Sequence, residues 1–382
     1  MLSARRLTGI TRNATRLWRS PGRPGRVTGR ARAAAALAYG LVSYALLHVG
    51  LSAAAELSRF VRDPVYADKE RKLLRLERSL PPGSPLVIFL GTSRTGNGFD
   101  AGTAQRLLSD GLGRPVGVFN HGLPASGPVT HLLHLNRLIE DGHRPTLLLL
   151  EIHSPTLANL SDGPLEVRFA HGLAFDWDEL ERLRGYGFPV DGLRSERRGS
   201  LVAPWHALRF QLVGRIAPSA LPFYRRYDWS RGRDAFGWSP MLVDSVDEER
   251  RQAGLERARR EYQHILHAMR PGDDQGPAFR ALRDLLQLCR ERGLAVVLVR
   301  MPEGEGFRAM YTRALSRRLG LILARIAEEY GCGLADCREW MPESAFADGH
   351  HLLPSAATAF TERLTREVIA PVVRAATEGG TR

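Results

Sequence analysis

Lysine is almost missing. Of 54 basic residues only Lys69 and Lys72 are lysines, and the arginine excess reads as coding bias rather than chemistry. Acidic residues are missing from the first 32 positions, which carry nine arginines. The net charge of +13 is therefore concentrated at the N-terminus, and the rest of the chain holds only about +4 (13 − 9). That balance argues against a broad basic face for nucleic acid. Internal repeats and long low-complexity runs are absent as well, which excludes a solenoid.

Charge is missing altogether from "AAAALAYGLVSYALLHVGLSAAA", residues 33–55. These 23 residues exceed the roughly 20 that cross a bilayer as a helix. Lipid offers free backbone groups no partner, so a single span must be helical. Arg23, Arg26, Arg30 and Arg32 precede the run and Glu56 follows it. The positive-inside rule then predicts a basic cytoplasmic tail over 1–32 and a transmembrane helix over 33–55. It puts the anchor in the cytoplasmic (inner) membrane and everything after residue 56 outside. Small residues in "SAAAELS" would suit a signal-peptide cut, but the long charged lead and long apolar run favour an uncleaved anchor.

Cysteine is scarce too, with Cys289, Cys332 and Cys337 only. Export would permit disulfides. Cys332 and Cys337, however, flank the strand-like "GLAD". Five strand residues separate their Cα atoms by about 16 Å at about 3.3 Å each, against about 4.4–6.8 Å for a bridge. The spacing predicts buried thiols.

After a polar connector (56–84) with a short helical stretch, a rhythm begins. "LVIFL" (86–90), "PVGVF" (115–119), "TLLLLEI" (146–152), "LAVVLVR" (294–300) and "CGLADC" read as strands. Helical patterns lie between them at 101–110, 128–141, 276–292 and 313–330, with a terminal helix from Pro354 to about Ala376. Continuous apolar runs alternating with helices predict a parallel sheet buried on both faces. The expected fold is a doubly wound α/β domain over 85–157 and 290–376, interrupted by a mainly helical, aromatic cap over 158–289. Right-handed crossovers bring the C-terminal ends of the strands to one edge, where such folds place their sites.

Polar residues gather at that expected edge. Ser93 follows the first strand; Asn120, His121 and Gly122 follow the second; Glu151, His153 and Ser154 follow the third. Met301-Pro302-Glu303 follows the fourth, and Asp348, His350 and His351 follow the fifth. A serine hydroxyl needs a base within hydrogen-bond reach to become a nucleophile. Histidine suits that task near neutral pH, and a carboxylate orients the ring. Asp348 and His351 are three apart, so one turn of chain brings them together. The backbone N–H groups of Ser93 and Gly122, and the Asn120 amide, are candidate donors to a developing oxyanion.

The set "LGTSRT", "FNHGLP" and "DGHHL" resembles the SGNH (GDSL-like) hydrolase superfamily, more narrowly its membrane-anchored members related to D-alanyl-transfer and alginate O-acetylation proteins. The resemblance covers about 84–157 and 290–375. It implies a flavodoxin-like sheet, Ser93 as nucleophile, Gly122 in the oxyanion hole, His351 as base and Asp348 as its partner. It implies no cofactor, no metal and an acyl-ester substrate: a small ester or an acylated glycan of the envelope, handled with envelope-polysaccharide machinery. Two blocks depart from the pattern. Thr92 stands where the family has Asp, and Glu151-Ile152-His153-Ser154-Pro155 replaces the third block, so the oxyanion-hole asparagine is unassigned between Asn120 and His153.

Plainer readings compete. Ser93 could cap a helix, although "RTGNG" is a poor helix start and Asp100 is available as the next cap. His350 rivals His351, and Thr92, Arg94, His121, His153 and His350 are candidate pocket residues. A metal held by His121, His153, Asp348, His350 and His351 lacks the i, i+4 histidine spacing of zinc motifs. Trp177, Trp205, Trp229 and Trp238 read as packing before sugar stacking. Helix 247–269 reads as a solvated face with an apolar stripe of Leu255, Tyr262, Ile265 and Leu266. The function this predicts is an extracytoplasmic serine esterase or O-acyltransferase, against an inactive scaffold or glycan-binding protein of the same fold.

Overall fold

The computed structural model describes residues 29–222 and 233–378. The basic tail through residue 28 and Trp229 lie outside the described residues. The chain divides into two units, 1–50 and 51–382. The first contains most of helix Gly29–Leu57, which is long and apolar enough, with a mean hydropathy of 1.6, to serve as a membrane anchor or signal sequence. The second unit carries the sheet.

Five parallel strands lie in the order β2-β1-β3-β4-β5: β1 Leu86–Gly91, β2 Gly117–Gly122, β3 Leu147–Glu151, β4 Ala295–Arg300 and β5 Gly333–Asp336. This is the flavodoxin-like order, with its switch point between β1 and β3. Strand alternation divides the core in two. Leu86, Ile88, Leu90, Leu148, Leu150 and Leu298 face one layer, while Val87, Phe89, Leu147, Leu149, Val297 and Val299 face the other. Both layers are buried, which is why the strands read as unbroken apolar runs.

Pro128–Glu140, Pro277–Glu291 and Arg313–Tyr330 cover the first face, and Ala101–Leu112 and Pro354–Leu364 the second. Arg313–Tyr330 starts at the Thr312 cap, whose Oγ1 accepts from Leu315 N at 3.1 Å, and stops where Gly331 takes φ 63°.

Three segments differ from the sequence expectation. The connector contains a full helix, Pro64–Ser79, that buries Tyr66, Lys69, Leu73 and Leu76 in the domain. Lys69 donates to Asn120 O (2.6 Å) and Gly237 O (3.0 Å), a buried staple that no polarity pattern announces. Helix Pro277–Glu291, counted with the cap, packs on Pro128–Glu140 as a sheet-covering crossover. The second strand begins later than "PVGVF" and runs on through Gly122, because β1 pairs with it as far as Gly91↔Gly122. Asn120, His121 and Gly122 are therefore strand residues, with strand alternation imposed on them.

Cys289 and Cys337 are buried free thiols, and Cys332 is a half-buried one.

Candidate active site

Ser93 stands at the turn leaving β1. The turn continues into a short helix, Ser93–Gly98, so "SRTGNG" is helical despite its glycines. Ser93 is its first residue and not its cap, since Thr92 Oγ1 accepts from Arg94 N at 3.1 Å. The carboxylate of Glu151, at the end of β3, clamps this turn. It accepts from Thr92 N (2.7 Å), Thr92 Oγ1 (3.0 Å), Thr95 N (3.3 Å) and Thr95 Oγ1 (2.7 Å). Gly91 is required below it: a Cβ there would lie 2.0 Å from Thr95 Oγ1 and 2.5 Å from Glu151 Oε2. With its neighbours committed, the Ser93 side chain is left to other work.

That work is with the loop after β5. Ser93 Oγ lies 2.8 Å from His351 Nε2, and His351 Nδ1 lies 2.8 Å from Asp348 Oδ2. Asp348 Oδ1 accepts from the backbone N–H of His351 (2.9 Å) and of His350 (3.2 Å). Burial alone would raise the Asp348 carboxyl. The adjacent His351 and His350, with the hydrogen bonds from His351, outweigh burial and hold it well below the usual carboxylate range. Helix Glu248–Ala268 backs the pair, because a Cβ on Gly254 would come within 2.7 Å of Asp348 Cβ.

His350 is not an equivalent of His351. Its Nδ1 lies 3.3 Å from Asp348 Oδ1 but forms no hydrogen bond. Burial, and then the charge of His351, push its pKa down to about 3. Asp348, His350 and His351 bring donor atoms within 4.8 Å of one another. Both ring nitrogens of His351 are already engaged, so a metal there would have to break its contact with Ser93 or with Asp348.

Two expected donors are spent elsewhere. Gly122 N donates to Asn120 Oδ1 at 2.9 Å, and Asn120 Nδ2 donates to Thr95 O (2.8 Å) and Phe99 O (2.7 Å). Asn120 is thus a buried clip on the Ser93 helix, and Gly122 is its close-packed neighbour: a Cβ there would lie 2.3 Å from Gly96 N. His121 also leaves the site. Alternation turns it to the opposite face, among Tyr66, His134 and Phe119, with both ring nitrogens unpartnered.

A candidate oxyanion donor that sequence reasoning missed is Ala125. Among the described residues, no acceptor lies against its N–H or that of Ser93, and both residues line one cavity of about 190 Å³. Ala125 takes φ 62°, the only non-glycine residue described that does so. A side chain there is strained, and no residue-type signal marks it.

The cavity is also lined by Thr92, Arg94, His153 and His350, and walled by Leu165, Glu166, Phe169 and Tyr262 of the inserted segment. Leu255, Ile265 and Leu266 of the expected stripe are buried, whereas Tyr262 faces the cavity. Trp177, Trp205 and Trp238 do not line it. Arg197 lies over Trp177, Trp238 Nε1 donates to Asn97 O at 2.8 Å, and Trp205 is exposed.

Arg94 ties the ends of three strands together. Its Nη2 donates to Met301 O (3.0 Å) and Pro302 O (2.9 Å), and its Nη1 to His153 Nδ1 (2.8 Å). Nη1 also lies between the carboxylates of Glu151 (3.8 Å) and Glu303 (3.6 Å).

A doubly wound sheet with a Ser-His-Asp relay at its C-terminal edge places the chain among α/β folds suited to nucleophilic acyl chemistry. No protein-family model and no curated protein matches the chain. Similar solved structures include AlinE4, an SGNH-hydrolase family esterase (12% identity, 66% of this chain and 76% of that one, TM-score 0.29). Two others are the lipase/acylhydrolase from Enterococcus faecalis (13%, 74% and 95%, TM-score 0.33) and Axe2, an acetylxylan esterase from Geobacillus stearothermophilus (13%, 75% and 94%, TM-score 0.33).

Proposed function

We propose that the protein is a membrane-anchored, extracytoplasmic serine esterase or O-acyltransferase of the SGNH type. The observation that carries the chemistry is the unbroken contact Ser93 Oγ–His351–Asp348, 2.8 Å at each link. Ser93 Oγ attacks the acyl carbonyl while His351 Nε2 takes the hydroxyl proton, and Asp348 steadies the imidazolium. The N–H groups of Ser93 and Ala125 receive the oxyanion. Collapse returns the proton to the leaving alcohol and leaves an acyl-serine. A water or an acceptor hydroxyl then gives its proton to His351 and attacks the acyl carbon, releasing an acid or a new ester and restoring Ser93.

The cavity of about 190 Å³ fits a short acyl group. An adjoining groove of about 850 Å³ shares Ala125, Ser126, Glu166 and Phe169 with it and gives room for the larger remainder of the ester. The sequence resemblance supports an acylated envelope glycan as that remainder and polysaccharide machinery as the setting. The apolar helix and the arginine-rich start support an inner-membrane anchor with the N-terminus inside.

The second reading, a non-catalytic scaffold or glycan binder, is favoured by the commitment of Asn120 and Gly122 to packing. A fluorophosphonate probe separates the two. Labelling of the wild type that disappears in Ser93→Ala, with an unchanged thermal midpoint, supports the enzyme. An unlabelled, folded wild type sinks it.

A further inference from the structure

We propose that His153 donates its Nε2–H to the oxyanion formed at Ser93, and that Arg94 is the positioning residue that fixes the ring for this. The inference rests on the reading of Ser93 as nucleophile.

Arg94 Nη1 lies 2.8 Å from His153 Nδ1. A guanidinium carries five N–H donors and has no acceptor, so Nδ1 must accept. A ring that accepts at Nδ1 holds its one proton on Nε2 and is neutral. Burial, and then the charge of Arg94, push His153 well below the usual histidine range, in keeping with that form. No acceptor among the described residues meets Nε2, although the ring lines the cavity beside Ser93 and Ala125.

The ring is also held in plane. It stacks parallel to His350 (6.5 Å, 9°) and meets Tyr262 edge-on (5.3 Å, 89°). Arg94 is itself fixed by two backbone carbonyls and two buried carboxylates. A fixed N–H in a partly buried cavity, polarised by a cation behind it, is well suited to stabilise a developing oxyanion. The same wiring argues against a base: Nε2 already carries its proton, and Arg94 opposes a second one.

The test measures fluorophosphonate labelling rate, and kcat and KM on p-nitrophenyl acetate, for the full chain in detergent. His153→Ala should lower kcat and the labelling rate by about 10²–10³-fold with KM little changed. His153→Asn, which keeps an N–H donor, should recover at least about tenfold of that loss. Arg94→Gln should move the acid limb of the pH–kcat profile to higher pH, since one charge that opposes protonation of the ring is gone while burial and the neighbouring histidines still resist it. A labelled wild type whose His153→Ala variant labels and turns over at the wild-type rate overturns the inference and leaves Ser93 standing. An unlabelled wild type removes both. Nitrogen-15 spectra of the wild-type histidines, compared with those of folded His153→Asn, give a second check that does not depend on activity. The resonance missing from His153→Asn should be a neutral Nε2–H ring from pH 5 to 8, and an Nδ1–H signature would overturn the assignment.

Discussion

The ends of β2 and β3 flank β1 on either side, and each delivers a histidine, a hydrogen-bonding side chain and a tight turn. They do opposite things. At the end of β2, Asn120 hydrogen-bonds inward to the Ser93 helix, Gly122 N donates to the Asn120 side chain, and His121 is sealed among aromatic rings. At the end of β3, Glu151 clamps the same turn, but His153 lies beyond the last strand residue and lines the cavity. The difference is one of register rather than residue type. A residue inside a strand must take the face that alternation assigns, whereas one just past the end can be aimed by its partners.

The largest effect is expected where both ends converge. Ser93→Ala or His351→Ala should each remove activity by roughly four orders of magnitude or more, and the double variant should be no worse than either, because such groups act as a unit. Additive losses in kcat would break the relay. Next comes the β2 end. Asn120→Ala orphans the buried Phe99 carbonyl and Gly122 N–H, while Thr95 O keeps Phe99 N, and should cost about 1–3 kcal/mol for each group left unpaired. Denaturant unfolding should show that loss in full. A stable, inactive Asn120→Ala protein would instead place Asn120 in the oxyanion hole and erase the contrast with His153.

Gly254→Ala tests the backing of Asp348. The added methyl meets Asp348 Cβ, and a displacement of that pair should lower kcat about tenfold with folding intact. The smallest effect belongs to His121. Burial, then Lys69, hold it neutral and well below its usual range. An unfolded histidine titrates near about 6.5. Below that pH the unfolded chain binds a proton that the folded one refuses, so stability falls as pH drops. His131, lowered to about 4, and His350, lowered to about 3, continue the loss downward. Asp348 adds to the loss in the same direction, but only below about 3.9, where its own stabilisation begins to be lost. His121→Phe should flatten the decline of the thermal midpoint between pH 6.5 and 4 while leaving activity unchanged. An undiminished slope would mean that other groups carry it.

The strands were legible because residues such as Leu147–Leu150 are buried on both faces and leave an unbroken apolar record. The meeting of Ser93 with Asp348 and His351 was legible because all three follow strand ends that topology brings to one edge. What was illegible depended on contacts between distant segments. Asn120, His121 and Gly122 are poor strand formers, and only pairing with β1 keeps them extended. Lys69 looked solvated until Asn120 O and Gly237 O accepted it. Arg94 was legible as a pocket residue but not as a clamp, because Met301, Pro302 and Glu303 are some 200 positions away in sequence (301 − 94 = 207). The left-handed backbone of Ala125 leaves no mark in its identity.

Glu166, from the inserted segment, accepts from the N–H groups of Gly127, Val129 and Thr130 and so caps helix Pro128–Glu140. The wall of the cavity is therefore a structural member of the sheet's own covering layer. Swinging it aside would uncap that helix and leave a buried carboxylate without donors. Traffic to Ser93 must then pass along the open groove, and hydrogen exchange at Val129 and Thr130 should be as slow as in the central strands, with no separate opening step.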